Sequence, residues 1–185
     1  MDTINYVERF LHTNEPVLFE TNAPMDKKHI EDFNKFNYTK RNTAAFTVNL
    51  IVGVLCILSS LAEFAVGALS VGVISVLVGI FCIVLPFMNI KKVSADSVKN
   101  GYHNGNINNY KFYQEYFVNT DFFSISIIPY NIVVDAHETD EYFYLYISKH
   151  QAHVIPKYSF VMNTPEEMRK MLTIKLGNRF TVHCL

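Results

Sequence analysis

From Thr43 to Ile90 the chain reads TAAFTVNLIVGVLCILSSLAEFAVGALSVGVISVLVGIFCIVLPFMNI, and Glu63 is the one charged side chain in it. Residues 42–62 before that glutamate and 64–90 after it carry no charge. At a helical rise of about 1.5 Å per residue, either stretch is long enough for a hydrocarbon layer of roughly 30 Å. The pattern predicts two transmembrane helices, Ala44 to Ala62 and Phe64 to Met88, joined by a short turn around Ser60 to Glu63. The second holds fifteen Val, Ile, Leu and Phe residues. On an insertion scale that gives each about −0.3 to −0.6 kcal/mol, it gains roughly −5 to −9 kcal/mol. The first holds ten and carries Asn49, so the pair is expected to enter as a hairpin. Pro86 falls in the last turn of the second helix, where a kink or stop is tolerated. A buried helical pair in a soluble protein is the competing reading, and it fits poorly, because soluble helices rarely go this far without charge on any face.

The flanks differ in character. Of 185 residues 50% are hydrophobic and 18% charged, yet residues 1–42 hold 7 acidic and 6 basic side chains and residues 91–185 hold 9 and 10. The formal net charge of −1 offers no basic excess for nucleic acid, which is not an expected partner. Lys40 and Arg41 precede the first span, Lys91 and Lys92 follow the second, and the turn between has neither Lys nor Arg. The positive-inside rule therefore predicts a multi-pass protein of the cell membrane with both termini cytoplasmic. No signal peptide is expected, since some forty largely polar residues come before the first apolar run. Cys56, Cys82 and Cys184 form neither a paired framework nor a CxxC, so no disulfide scaffold or thiolate zinc site is expected, and Cys184 should stay a thiol.

Small residues recur at spacings of three and four on both spans. Ala45, Asn49, Gly53, Cys56 and Ser60 form one stripe; Ala65, Ala68, Gly72, Ser75, Gly79 and Cys82 form the other. Small side chains let helix backbones approach where lipid supplies no hydrophobic drive, so these stripes are the expected antiparallel contact. Counting back from the turn sets Asn49 opposite Ser75 to Gly79, where its amide would find a bond worth about 0.6–2 kcal/mol. The same stripes would serve equally to join copies of the chain. A polar conduit lined by Asn49 is the weaker reading, with no ionisable group inside either span.

Four segments are expected: 1–42, with an N-terminal strand and helix; 43–90, the hairpin; 91–109, helix and linker; and 110–185, a C-terminal domain. The first opens with a short amphipathic stretch, then the strand Val17 to Phe19, a Thr-Asn-Ala-Pro turn, and a helix from Lys27 capped by Asp26. Beyond Lys92 the helix should run to about Asn100, where Gly101 and the Asn and Gly residues through Asn109 make a loop. From Lys111 the apolar period becomes two: Phe123, Ile125 and Ile127, then Ile132 to His137, Tyr142 to Ile147 and Ala152 to Ile155. Short polar connections at Asn119 to Asp121, Glu138 to Glu141 and Ser148 to Gln151 suit antiparallel hairpins. Thr164, Pro165 and Glu167 make a capping box, followed by Met168, Met171, Leu172 and Leu176 on one face and a stop at Gly177. The fold class is therefore an α+β membrane protein, a two-helix transmembrane hairpin plus a cytosolic antiparallel β-meander closed by a C-terminal helix.

Several phrases in this region carry a resemblance: Ile128-Pro129-Tyr130; Glu141-Tyr142-Phe143-Tyr144-Leu145-Tyr146; Ala152-His153-Val154-Ile155-Pro156-Lys157-Tyr158-Ser159-Phe160; and Pro165-Glu166-Glu167. Together they resemble the YcxB-like family of bacterial membrane proteins over most of residues 110–180, with Tyr158 where that family usually has Arg. The resemblance implies a C-terminal domain similar to bacterial pleckstrin-homology folds on a two-helix anchor, with no established activity.

Candidate sites are few. Lys157, Arg169 and Lys170 are a candidate basic patch toward anionic lipid, each cation near a surface contributing about 1 kcal/mol. The competing structural reading is that Pro156 ends a strand and Lys157 turns the chain. Tyr142, Tyr144 and Tyr146 fall on one side of a strand and form either a docking face or, more simply, rings packed within the protein, for instance under the N-terminal segment. Asn119-Thr120-Asp121 and the acidic turn Glu138-Thr139-Asp140-Glu141 argue against a phosphoinositide site. Asp135, His137 and Glu138, with His150 and His153, have a spacing common by chance, so no metal site is expected. No nucleotide, hydrolase or metalloprotease motif occurs, and neither a catalytic residue nor a cofactor is expected. The sequence thus points to a membrane-anchored, non-enzymatic interaction or regulatory module whose partners are the lipid bilayer and an unknown protein or a second copy. The alternative is a small transport or peptide-immunity component acting through an oligomerised hairpin, and a cytosolic-face enzyme using His137 or His153 stands third.

Overall fold

The computed structural model describes residues 15–41, 43–99, 106–121, 124–149 and 151–183. Among these the chain divides into two compact units, one built from the N-terminal strand and the region after residue 103, the other from Lys27–Tyr102.

The first unit is β-rich. Its strands are β1 (Phe19–Met25), β2 (Asn106–Phe112), β3 (Tyr116–Thr120), β4 (Ile125–Pro129), β5 (Asp135–Glu138), β6 (Tyr142–Tyr146), β7 (Ala152–Pro156), β8 (Phe160–Met162) and β9 (Phe180–Val182). They form one sheet in the order β4-β3-β2-β1-β8 and another in the order β7-β6-β5-β9. Every pairing is antiparallel except β5 with β9. Phe19, Tyr110, Phe112 and Phe117 from the first sheet meet Ala136, Phe143, Leu145 and Ile155 from the second in one buried core. One helix, Pro165–Leu176, closes it with Met168, Leu172 and Leu176. The expected capping box is present in both directions between Thr164 and Glu167, and Gly177 ends the helix at φ 53.

Two expectations about this unit are corrected, and one element is added. The N-terminal strand is not Val17 to Phe19 but Phe19–Met25, so Thr21 to Pro24, read as a turn, lies inside it. Pro24 is tolerated because β8 pairs with β1 only at Glu20 and Thr21, leaving the proline an open flank. Asn106, Asn108 and Asn109, read as loop, belong to β2 and are held there by pairing with β1 from Phe19↔Phe112 to Met25↔Asn106. Beyond the helix, which ends at Gly177 as expected, the chain adds β9 beside β5, an element the sequence reading lacked. Phe123, His150, Cys184, the Gly101 hinge and the amphipathic stretch before Glu15 lie outside the described residues.

The second unit is helical, and its helices are numbered first in chain order: α1 (Lys27–Phe36), α2 (Thr43–Ala65) and α3 (Leu69–Lys99), with Pro165–Leu176 becoming α4. A π-helical turn, Asn37–Arg41, follows α1. At about 1.5 Å per residue the 23 residues of α2 extend about 35 Å. Both α2 and α3 are long and apolar enough to cross a membrane. Their apolar side chains face outward, with Leu55, Leu58, Leu61, Ile74, Leu77 and Phe81 each more than half exposed. A core helix of a soluble protein would bury such residues. The turn between them is Val66 to Ala68, later than expected, because Glu63 stays helical and Gly67 at φ 79 supplies the left-handed residue. Asn34 on α1 donates to the Ser94 hydroxyl on α3 at 3.1 Å, both residues buried.

Candidate functional site

The proposed basic patch is an ion cluster around a buried carboxylate. Glu138 ends β5 on the same face as Ala136, which points it inward, and its side chain is fully buried. Arg169 of α4 grips it with Nε at 2.6 Å and Nη2 at 2.5 Å, and Lys157 reaches it with Nζ at 2.5 Å. Lys157 also lies 5.2 Å from the Phe143 ring centroid. Burial pushes the Glu138 carboxyl up, but hydrogen bonds and charge from Arg169 and Lys157 outweigh it and hold the group below the usual carboxylate range. Two of the three predicted cations are thus brought together, but onto a protein carboxylate. Lys170, one residue on, is exposed on α4 and stands apart from the cluster. Glu138 is the residue the sequence reading missed, since it was taken as the start of an exposed acidic turn. The signal was present in the period of two, which puts Glu138 on the Ala136 face and Asp135 with His137 on the other.

The tyrosine ladder is real as a register but not exposed. Tyr142, Tyr144 and Tyr146 alternate with Phe143 and Leu145, and their relative exposures are 3%, 1% and 0%. Tyr142 and Tyr144 stack at 5.6 Å, and Tyr146 meets the His137 ring edge-on at 5.7 Å. On this face His137 Nδ1 lies 3.1 Å from His183 Nε2, and His137 Nε2 lies 3.5 Å from Asp135. His153 is a core histidine on the opposite face, set edge-on against Tyr110 and Phe117. Burial pushes its pKa down to about 4, and its Nε2 finds no hydrogen-bond partner among the described residues. Among the described residues no three His, Cys, Asp or Glu side chains are grouped to hold a metal ion.

In the hairpin the glycine stripes meet. A Cβ added to Gly53 would lie 2.8 Å from the Gly79 carbonyl oxygen, and one on Gly79 would lie 2.7 Å from the Gly53 carbonyl oxygen. Backbone therefore touches backbone at this level. Gly72 accommodates the Phe64 ring, and Phe46 meets Phe87 edge-on at 5.6 Å. Ser75 is half-buried. The register of Asn49 is corrected: with Phe46 beside Phe87 and Gly53 beside Ile83, it stands level with residues 83–87, not with Ser75 to Gly79. Its amide donates 2.8 Å to the Ala45 carbonyl of its own helix. The later turn displaced the count, and a local carbonyl one helical turn back satisfied the side chain.

No curated protein and no solved structure matches the chain. The family model described as YcxB-like protein matches residues 112–174, so the stretch from the last residue of β2 into α4, which holds Glu138, Lys157 and Arg169, is a YcxB-like region.

Proposed function

We propose that the protein is a membrane-anchored, non-enzymatic interaction or regulatory module, with a pleckstrin-homology-like domain carried at the cytoplasmic face by the α2–α3 hairpin. The observation that carries this reading is the pairing of β1, which precedes the hairpin, with β2, which follows it, along seven register pairs. A continuous sheet cannot form across a bilayer, so the segments on either side of the hairpin must share one compartment. Lys40, Arg41, Lys91 and Lys92 support the cytoplasm as that compartment. Two sheets, antiparallel except where β5 meets β9, closed by α4 support the pleckstrin-homology-like description. The domain's cations at Lys157 and Arg169 are committed to Glu138, which favours protein contacts over headgroup capture as its mode of action. Gly53 and Gly79 are used within the hairpin, which favours an anchor over an oligomeric conduit. The test is a pair of compartment reporters, one fused before Glu15 and one after the C-terminus, with a cysteine placed at Gly67 for external labelling. Both reporters are expected to be active only in the cytoplasm, and the Gly67 cysteine to label from outside. Reporters on opposite sides would overturn the proposal.

A further inference from the structure

Charge is divided unevenly between the helical unit and the rest of the chain. Residues 27–41 and 91–99 together hold 8 basic and 3 acidic side chains. With Glu63 in the hairpin set apart, the remainder holds 8 basic and 13 acidic ones (16 − 8 and 17 − 3 − 1). An excess of five positive charges is thus confined to the two segments that flank the hairpin. Part of it is neutralised along α1, where Lys27 meets Glu31 at 3.6 Å and Lys28 meets Asp32 at 3.1 Å. Lys35, Lys40, Lys91 and Lys92 are exposed, and no ion pair engages them among the described residues. Asp96, one turn beyond Lys92, is exposed as well, and no ion pair joins the two.

These lysines share one level of the unit. Phe46 meets Phe87 across the hairpin, with Lys40 six residues before the first ring and Lys91 and Lys92 four and five after the second. At a helical rise all three lie about 6–9 Å beyond that contact. Asn34, the neighbour of Lys35, is bonded to Ser94, three residues past Lys91, which brings α1 to the same end. From Leu69 to Ile90 α3 extends about 33 Å, close to the roughly 30 Å of a hydrocarbon layer. A hairpin whose tip reaches one interface therefore sets the lysines at headgroup depth on the other. We propose that Lys40, Lys91 and Lys92, with Lys35 beside them, form a collar that binds anionic phospholipid headgroups of the phosphatidylglycerol kind. This rests on the membrane-anchored reading above, and it assigns lipid recognition to the anchor, since Lys157 and Arg169 of the β-rich unit are committed to Glu138. Each ammonium group brings three donors to phosphate oxygens, and each lysine near an anionic surface favours it about fivefold. In a zwitterionic lipid the headgroup's own cation competes for the phosphate, so the collar gains little.

The experiment reconstitutes the full chain into phosphatidylcholine bilayers that carry a trace of spin-labelled phosphatidylglycerol or spin-labelled phosphatidylcholine. Electron paramagnetic resonance then reads the fraction of each label whose motion the protein restricts. The phosphatidylglycerol label is expected to associate several-fold more strongly, and the preference to fall toward equality in about 1 M salt, where the screening length is about 3 Å. Lys40→Gln, Lys91→Gln and Lys92→Gln combined should bring the ratio of the two close to one, and Arg at the same three positions should preserve it. Lys27→Gln with Lys28→Gln removes cations that are already paired and should leave the ratio unchanged. Equal restriction of the two labels by the unaltered chain at low salt would overturn the collar, and is the result if the acidic side chains of the β-rich unit neutralise the lysines. No restricted component from either label would overturn the anchored reading along with it. If the triple variant fails to insert, the salt series on the unaltered chain decides: a preference that collapses supports the collar, and one that persists overturns it.

Discussion

Glu138 offers a measurement in which burial and attraction make opposite forecasts. The carboxylate has no exposed side-chain surface, whereas Lys157 keeps 17% and Arg169 37%. In Glu138→Gln the charge is lost from the inside and the two cations turn toward water, so the cost is that of charge-assisted hydrogen bonds discounted for solvent, about 1–3 kcal/mol. In the double variant Lys157→Met with Arg169→Met, an ion without partners is left where water does not reach, and the cost rises to about 3–5 kcal/mol. The pH slopes separate the two further. In the unaltered chain the Glu138 pKa is held low, so its contribution is complete above the ordinary carboxylate range and is lost as pH falls through the folded-state value. In the double variant burial acts alone and raises the pKa, so stability increases as pH falls. Urea unfolding of the full chain in micelles, followed by near-ultraviolet tyrosine dichroism across the acid range, reads both quantities. A Glu138→Gln variant less stable than the double variant, or a double variant that keeps the original slope, would refute the reasoning.

Three further outcomes are expected. His153, with its pKa pushed down to about 4 by burial, makes folding progressively less favourable as pH drops from about 6.5 to that value, by about 3 kcal/mol at 1.36 kcal/mol per pH unit; His153→Phe should flatten this window and leave the more acidic limb intact. Gly79→Leu drives a side chain into the Gly53 carbonyl and Ile57, at a cost of about 1–3 kcal/mol. Disulfide formation between cysteines placed at Phe46 and Phe87 should fall accordingly, and undiminished cross-linking would contradict the backbone contact. Thr164→Ala removes one half of the capping box and should lower stability by about 1 kcal/mol in the same urea titration.

What could be read without coordinates was whatever a one-dimensional period encodes. The helices were legible because lipid-compatible side chains fill every face of α2 and α3, and the meander because Phe143 and Leu145 alternate with tyrosines. The Thr164 cap was legible because its partners lie three residues apart. Elements defined by a distant partner were not. Asn106 to Asn109 have poor strand propensity and are extended because β1, more than eighty residues earlier in the chain, pairs with them. Lys157 and Arg169 looked like a patch because the carboxylate that claims them is 19 and 31 residues away in sequence (157 − 138 and 169 − 138). A charge pattern alone cannot distinguish a cation that faces solvent from one that neutralises a buried acid.

The β1–β2 pairing also sets an order of events during synthesis. Phe19–Met25 leaves the ribosome before either apolar helix exists, and its ladder partner Asn106–Phe112 follows only after both helices have been made. If the hairpin enters a bilayer as proposed, the sheet cannot close until the polypeptide has gone in and come back. On that proposal a hairpin stalled halfway would strand the later half of the domain in the wrong compartment and leave the early strand with open hydrogen-bonding groups. Closure of the β1–β2 ladder would then double as a proofreading step for insertion.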